Sequence, residues 1–419
     1  MKKKYLKSIL GGSLGNLIEW YDWYAYSVFA LYFAPSFFPE VSETAQLLNT
    51  AGIFALGFLM RPVGGWVMGA YSDKKGRKAG LSVSVLLMSV GSLMIAVVPD
   101  YQSIGIAAPI ILIFARMLQG LSIGGEYGAA ATYLSEIAPN GSRGLYSSFQ
   151  YVSTTLGQLL ALVILIVFQK WLLTETQLIV WGWRIPFIIG ALLAVSVLYL
   201  RRNIDETPEF RNQSDADENR GTLSQLWKHR KATLLVSGFT IGLTVSYYTF
   251  TTYIQKFLVN TAGFSKEDST TVTIITLLFF LMAQPLFGWL GDQWGRKRMM
   301  MIFAVTGTLT FYPLLKMLET VSNMSEAVIL ITIAIVILSI STSISAIVKA
   351  ELFPANVRSL GVSFPYALTV ALFGGTAEYI ALWCKNQGHA DWFYIYITAC
   401  MLLTLYASYH IPADSKRLS

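Results

Sequence analysis

In "GNLIEWYDWYAY", Glu19 and Asp22 stand three residues apart and Tyr26 follows four later. On a helix the three share one face. The run around them is apolar and aromatic. A carboxylate there is costly as an anion, which makes it a candidate proton carrier. Glu126 and Glu378, in "GGEYGAAATY" and "FGGTAEYIAL", extend the list. Four cations sit in equally apolar runs: Arg61, Arg116, Lys256 and Lys349. A cation held away from water binds an anion, and an arginine can grip a carboxylate with two parallel hydrogen bonds. Gln150 and Tyr248, with Tyr247 and Tyr253, could supply further hydrogen bonds. Each candidate also has a plain reading. The arginines could pair internally with Asp22, Glu19 or Glu126. The lysines could snorkel to an interface, and the aromatics could form packing or a belt.

These residues need elements to hold them. The chain has 419 residues, 54% hydrophobic and 13% charged, too little charge to cover a soluble protein of this length. Apolar windows near 20 residues recur throughout, each long enough to cross a bilayer. They predict an all-α polytopic membrane protein with twelve spans, at roughly 12–34, 46–69, 80–98, 106–132, 146–168, 184–202, 232–255, 269–290, 299–317, 326–348, 359–383 and 392–410. The charged start "MKKKYLKSILGG" resembles a signal peptide, but Glu19 and Asp22 break its apolar region, so it reads as a retained first span. By the helical rise, Asp22 lies roughly 15 Å in from Gly12 and Arg61 roughly 12 Å from Gly69, at similar depth.

Most of the 31 lysines and arginines fall on segments that share one side with the N-terminus. That bias makes both termini cytoplasmic. It also accounts for the net charge of +7, so no nucleic-acid partner is expected. The polar stretch 203–231 separates a six-helix half, 1–202, from a second, 232–419. Cys384 and Cys400 lie in apolar context and read as small buried side chains rather than a disulfide. His229, His389 and His410 fall in loops or at span ends, which disfavours a buried histidine relay. No metal-ligand cluster, phosphate-binding loop or nucleophile–base pair stands out, so neither a metal, a cofactor nor catalysis is expected.

Two charged motifs recur. Gly69-x3-Asp73-x2-Gly76-Arg77-Lys78 returns as Gly288-x3-Asp292-x2-Gly295-Arg296-Lys297, and Glu136-x2-Pro139-x3-Arg143 returns as Glu351-x2-Pro354-x3-Arg358. Their order is kept at an offset of about 215–219 residues, the mark of a parallel internal repeat. Each lies on the cytoplasmic edge, after the second and fourth span of its half. Asp73 and Asp292 can pair across their turn with Arg77 and Arg296, or reach a helix end in the other half. Such contacts hold one conformation and break in another, a gating role. Glu136 and Glu351 are expected to pair with Arg143 and Arg358. Lys74, Lys75 and Arg298 read as plain positive-inside anchors.

"GAYSDKKGRK" resembles the loop signature of the major facilitator superfamily, and "RMLQG", Arg116–Gly120, its fourth-helix motif. "QGLSIGGEYGAAATYLSEIAPNGSRG" and "GNLIEWYDWYAY" are similar to the metabolite:proton symporter branch. "YYTFTTYIQKFLVNTAG" and "STSISAIVKAELFPANVRSLGV" resemble its 2-oxoglutarate-carrying members. The resemblance spans almost the whole chain. It implies a proton-coupled importer of a small organic acid, 2-oxoglutarate first, working by alternating access as a monomer in a bacterial cytoplasmic membrane. A dianion would need Arg61, Arg116, Lys256 and Lys349, and protons would ride on Asp22, Glu19, Glu126 and Glu378. Other solutes on the same fold remain open: another dicarboxylate, citrate, shikimate or a zwitterionic osmolyte. So do an exchanger, a uniporter and a non-transporting membrane sensor.

Overall fold

The computed structural model describes the backbone of residues 2–75, 77–124, 127, 138, 141–202, 223–354 and 357–412. Side chains are described within these from residue 16 on, outside 68–82, 197–202, 223, 225, 358 and 359. Among the described residues, nine helices are long and apolar enough to cross a bilayer, and two shorter apolar helices, Val83–Val97 and Gly182–Ser196, accompany them. With the first helix they make twelve: α1 (Lys2–Phe37), α2 (Glu43–Lys75), α3 (Arg77–Val97), α4 (Ala107–Gly124), α5 (Arg143–Val167), α6 (Ile185–Arg202), α7 (Arg230–Tyr248), α8 (Lys266–Trp294), α9 (Arg296–Leu318), α10 (Met324–Glu351), α11 (Arg358–Thr369) and α12 (Ala390–Tyr409). Successive helices alternate in direction, so the start of α1 and the end of α12 lie at one edge, called the terminal edge here, opposite a far edge.

Two helices continue beyond a widened turn. A π-helical segment, Thr249–Tyr253, carries α7 on into Ile254–Asn260, and another, Val370–Gly374, carries α11 on into Gly375–Asn386. A π turn leaves one carbonyl without its usual amide and turns the helix face that follows. In α7 the Thr251 carbonyl accepts instead from Gln158 Nε2 of α5, at 2.5 Å. Polar backbone at membrane depth is satisfied this way only where protein covers it.

Within the first six helices, α2 packs on α4, α1 on α5 and α3 on α6 and α4. Within the last six, α8 packs on α10, α7 on α12 and α9 on α10 and α12. The two sets meet where α5 lies against α8 and α10, and where α2 lies against α11. The α2–α4 contact is backbone against backbone: a Cβ on Gly120 would strike the Gly57 carbonyl, and one on Gly124 the Arg61 carbonyl. Small residues allow such an approach, and it fixes the helix from which Arg61 projects. Gly124→Ala is therefore expected to destabilise the protein by about 1–3 kcal/mol, the usual cost of forcing a methyl into a filled contact. Chemical denaturation in detergent measures it; an unchanged midpoint would contradict this packing.

Candidate functional site

Four buried cations lie along one line between the far and terminal edges, separated by aromatic rings. Nearest the far edge is Lys256 of the α7 continuation, 1% exposed. Its Nζ donates to Glu378 Oε1 at 2.7 Å and Oε2 at 2.8 Å, and to Ser27 Oγ of α1 at 2.8 Å. Beside Ser27, the Tyr26 ring lies 4.4 Å from the Arg116 guanidinium, which also sits 4.0 Å from the Trp23 ring. The other neighbour of Trp23 is Arg61, 4.3 Å from that ring and 3.9 Å from Phe58. Tyr248 stands by the Arg61 side chain, and Tyr366 lies near both. Tyr366 in turn is 3.9 Å from Lys349 Nζ, which donates to Tyr127 Oη at 3.0 Å.

The rings do more than fill space. Each presents its electron-rich face to a cation that no water reaches, worth about 2 kcal/mol when desolvated. They also hold the cations apart, and like charges in an apolar interior repel. Even so, the arginines keep donors to spare. Nε and Nη2 of both Arg61 and Arg116, and Nε2 of Gln150, have no hydrogen-bond partner among the described residues. These three side chains are at most 3% exposed. Buried unpaired N–H groups are costly, and these five nitrogens on two cations and an amide are donors that an anion could accept from.

Tyrosines surround this line. Tyr24 Oη and Tyr247 Oη lie 3.0 Å apart, joining α1 to α7. Tyr151 meets Tyr247 edge-on at 5.4 Å, and Tyr127 stacks on Tyr366 at 3.7 Å, 13° from parallel. Both contacts join the first six helices to the last six.

Asp22 occupies a separate pocket within the first six helices. Its Oδ2 accepts from Gln119 Nε2 at 2.8 Å and from Ser92 Oγ. Gln119 Oε1 accepts from Arg116 Nη1 at 2.6 Å. The amide thus connects carboxylate to guanidinium without direct contact. The other oxygen, Oδ1, faces Gly190 of α6, where a Cβ would collide with it. Glu19 is buried one turn nearer the terminal edge.

At the terminal edge, Asp292 ends α8 against the start of α5. Its Oδ1 accepts from the Gly144 amide at 2.7 Å and its Oδ2 from the Leu145 amide at 3.0 Å. The carboxylate meets the positive end of a helix dipole, and this contact crosses between the two sets of six. Arg296 pairs with Glu351 at 2.6 Å and lies 3.7 Å from Asp292. The Ile347 amide adds a bond to Ser147 Oγ at 3.3 Å. The far edge is joined as well: Lys170 to Glu267 at 3.1 Å and Lys266 to Glu175 at 2.9 Å. Described contacts therefore join the two sets of six helices at both edges.

Asp292→Ala removes two charge-assisted bonds from the α5 N-terminus, worth about 1–2 kcal/mol. The terminal edge should then open five- to thirtyfold more often. Thiol labelling of a cysteine at Ser148, in a background lacking Cys384 and Cys400, reads this; an unchanged rate would contradict the latch.

The structure changes several sequence-based expectations. Lys256 is not an interfacial side chain at a span's end, because the π turn prolongs α7 and carries it inside against Glu378. Asp22 does not pair with Arg61 or Arg116 directly but turns to Ser92 and Gln119. Glu351 pairs with Arg296, a partner not anticipated, while the side chain of its expected partner Arg358 lies outside the described residues. The helices outrun the expected spans, α1 reaching Phe37 and α7 continuing to Asn260. Glu126, Glu136 and the side chains of Asp73, Arg77 and Arg358 lie outside the described residues. Arg143 is described, with its Nε unpartnered among the described residues. Cys384 and Cys400 are free buried thiols. Sequence reasoning placed Gln119 on the face of Arg116 but missed Ser92 and Trp23; for Trp23 the i, i+3 spacing from Trp20 was the available signal.

Comparison with known proteins agrees with this architecture. The model of a family described as "Sugar (and other) transporter" matches the chain twice, over residues 9–228 and 211–415. The alpha-ketoglutarate permease of Escherichia coli K12 is 47% identical over 99% of this chain and 95% of its own length. The citrate-proton symporter of Salmonella typhi is 33% identical, over 89% of this chain and 86% of its own. A crystal structure of a D-xylose-proton symporter superimposes with a TM-score of 0.77 at 19% identity, covering 98% of this chain and 99% of that one. It shares the fold.

Proposed function

Since the chain belongs to the sugar (and other) transporter family, we propose that it is a proton-coupled importer of a small dicarboxylate, 2-oxoglutarate, in a bacterial cytoplasmic membrane. The observation that carries this is the line of four buried cations with unpartnered arginine donors. A sugar would need hydroxyl partners, not four positive charges. A dianion needs both its carboxylates met by cations, because neither can be left bare in an apolar interior. The names of the relatives, one a permease for alpha-ketoglutarate and two citrate-proton symporters, support the same chemistry.

In this reading Arg61 and Arg116 hold one carboxylate from the first half, 1–202, joined by Lys256 from the second, and Lys349 receives the other from the second half, 232–419. Tyr248 and Gln150 hydrogen-bond the substrate between them. The halves rock about this site, with both termini cytoplasmic and the carrier a monomer. Asp292, Arg296 and Glu351 latch the cytoplasmic edge, and Asp73 and Arg77 do the same by repeat symmetry. Entry of a dianion against a negative interior costs about 4.6 kcal/mol per 100 mV, which two protons cancel. Asp22, backed by Glu19, carries one of them, its release felt at Arg116 through Gln119.

Competition for labelled 2-oxoglutarate uptake tests the substrate class. Small dicarboxylates should displace the label at concentrations within about tenfold of 2-oxoglutarate itself, and glycine betaine should fail at 100-fold excess. Inhibition by betaine, with dicarboxylates inert, would favour a zwitterion carrier on the same fold.

A further inference from the structure

Lys256 has three N–H donors, and all three are taken: two by the oxygens of Glu378 and one by Ser27. It is the far-edge member of the cation line, so an anion entering from that side meets it first. Yet no donor is left to receive it. Arg61 and Arg116 differ, with free N–H groups.

Two of the contacts differ in origin. Glu378 lies on the α11 continuation, in the same set of helices as Lys256. Ser27 lies on α1, in the other set. Opening the far edge parts α1 from α7 and frees one donor. The other two stay with Glu378, and a substrate carboxylate can take them only by displacing it.

Displacement has a condition. A carboxylate turned away from its cation in this interior is an uncompensated buried charge. The charged and titratable groups around Glu378 are Lys256 and Tyr253 on α7, and Tyr26 on α1 with Arg116 behind it. From α2 the neighbours are Phe58 against Gly375 and Gly52 near Tyr379, and from α12 Phe393 lies against Tyr253. Lys256 is the cation in hydrogen-bond contact with Glu378. Once displaced, Glu378 must be neutral.

We propose that Glu378 is a built-in competitor for the substrate, whose protonation releases Lys256 to one carboxylate of the incoming dianion. The step balances. A proton from the outer water adds to Glu378, its bonds to Lys256 break, and Lys256 bonds the substrate carboxylate. The site is neutral before the exchange, as an ion pair, and neutral after it. On the inner side the proton leaves to water, Glu378 re-pairs with Lys256, and the substrate is expelled. One proton thus moves with each dianion through this pair, in addition to the one assigned to Asp22. This rests on the dicarboxylate reading.

Calorimetric titration of 2-oxoglutarate into the full-length protein in nanodiscs, at about pH 6, 7 and 8, tests it. Wild-type affinity should fall as pH rises, because binding takes up protons. Glu378→Gln should remove about one tenfold step per pH unit from that fall and bind more tightly than wild type at the highest pH. The double variant K256M/E378Q should bind at least about tenfold more weakly than E378Q throughout. A wild-type slope retained in E378Q, weaker E378Q binding at every pH, or equal affinity of the double variant would each overturn the proposal. The second of these marks a purely structural ion pair. Absence of wild-type binding at all pH values would instead overturn the dicarboxylate reading, and the competition with it.

Discussion

Arg61→Gln is expected to lower kcat/KM for 2-oxoglutarate uptake by about 150- to 5,000-fold. Its guanidinium lies between Trp23 and Phe58 with Nε and Nη2 unpaired among the described residues. Removing one partner from a buried charge pair costs about 3–5 kcal/mol, and each 1.36 kcal/mol is a factor of ten. Arg61→Lys keeps the charge but loses the planar fork, so it should recover only part of the activity. The empty protein should respond differently. Deleting a buried cation with unpaired donors relieves a desolvation cost but gives up the Trp23 and Phe58 contacts, so the Arg61→Gln protein should melt close to wild type. What it should lose is the rise in Tm that 2-oxoglutarate gives the wild type. A folded Arg61→Gln protein still stabilised by 2-oxoglutarate would remove Arg61 from the site.

Asp22→Asn should abolish most gradient-driven accumulation while leaving exchange of substrate between two equal pools within about twofold of wild type. Asparagine keeps the shape of the side chain and can still meet Ser92 and Gln119, but it cannot gain or lose a proton. In the wild type the carboxylate reports to Arg116 through the Gln119 amide, in bonds of 2.8 Å and 2.6 Å. In the proposed reading a proton on Asp22 alters the hold on Arg116. Losing one of two coupled protons lowers the attainable accumulation by about tenfold per unit of imposed pH gradient. Accumulation by Asp22→Asn equal to wild type would assign coupling elsewhere. Gly190→Ala serves as a partner experiment, because its methyl presses on Asp22 Oδ1 and should impair accumulation without touching the cations.

Much of this was readable in the amino-acid order, for a physical reason. Charges in apolar runs are so costly that Asp22, Arg61, Arg116, Lys349 and Glu378 announce themselves, and the spans follow from the same apolar runs. The doubled Gly-x3-Asp-x2-Gly-Arg-Lys motif foretold that Asp292 could reach a helix end in the other half, which it does at Gly144 and Leu145. What could not be read is partnership at long range. Nothing in the local sequence says that Lys256 meets Glu378 more than a hundred residues on. The π turn that aims Lys256 has no strong local signature, since "TFTTY" would also make an ordinary helix. The spacing rings were hidden by abundance. With 22 tyrosines and 11 tryptophans, nothing singles out Trp23 or Tyr366 until the fold sets each between two cations.

In the proposed reading a proton gradient drives a dianion through this line of cations. Proteoliposomes carrying the protein, given labelled 2-oxoglutarate and an acidic exterior, test it most directly. Accumulation above the equilibrium level of the anion is expected, abolished by a protonophore and absent in Arg61→Gln. Uptake that merely equilibrates, with no response to the gradient or the protonophore in a protein shown to be folded, would contradict it.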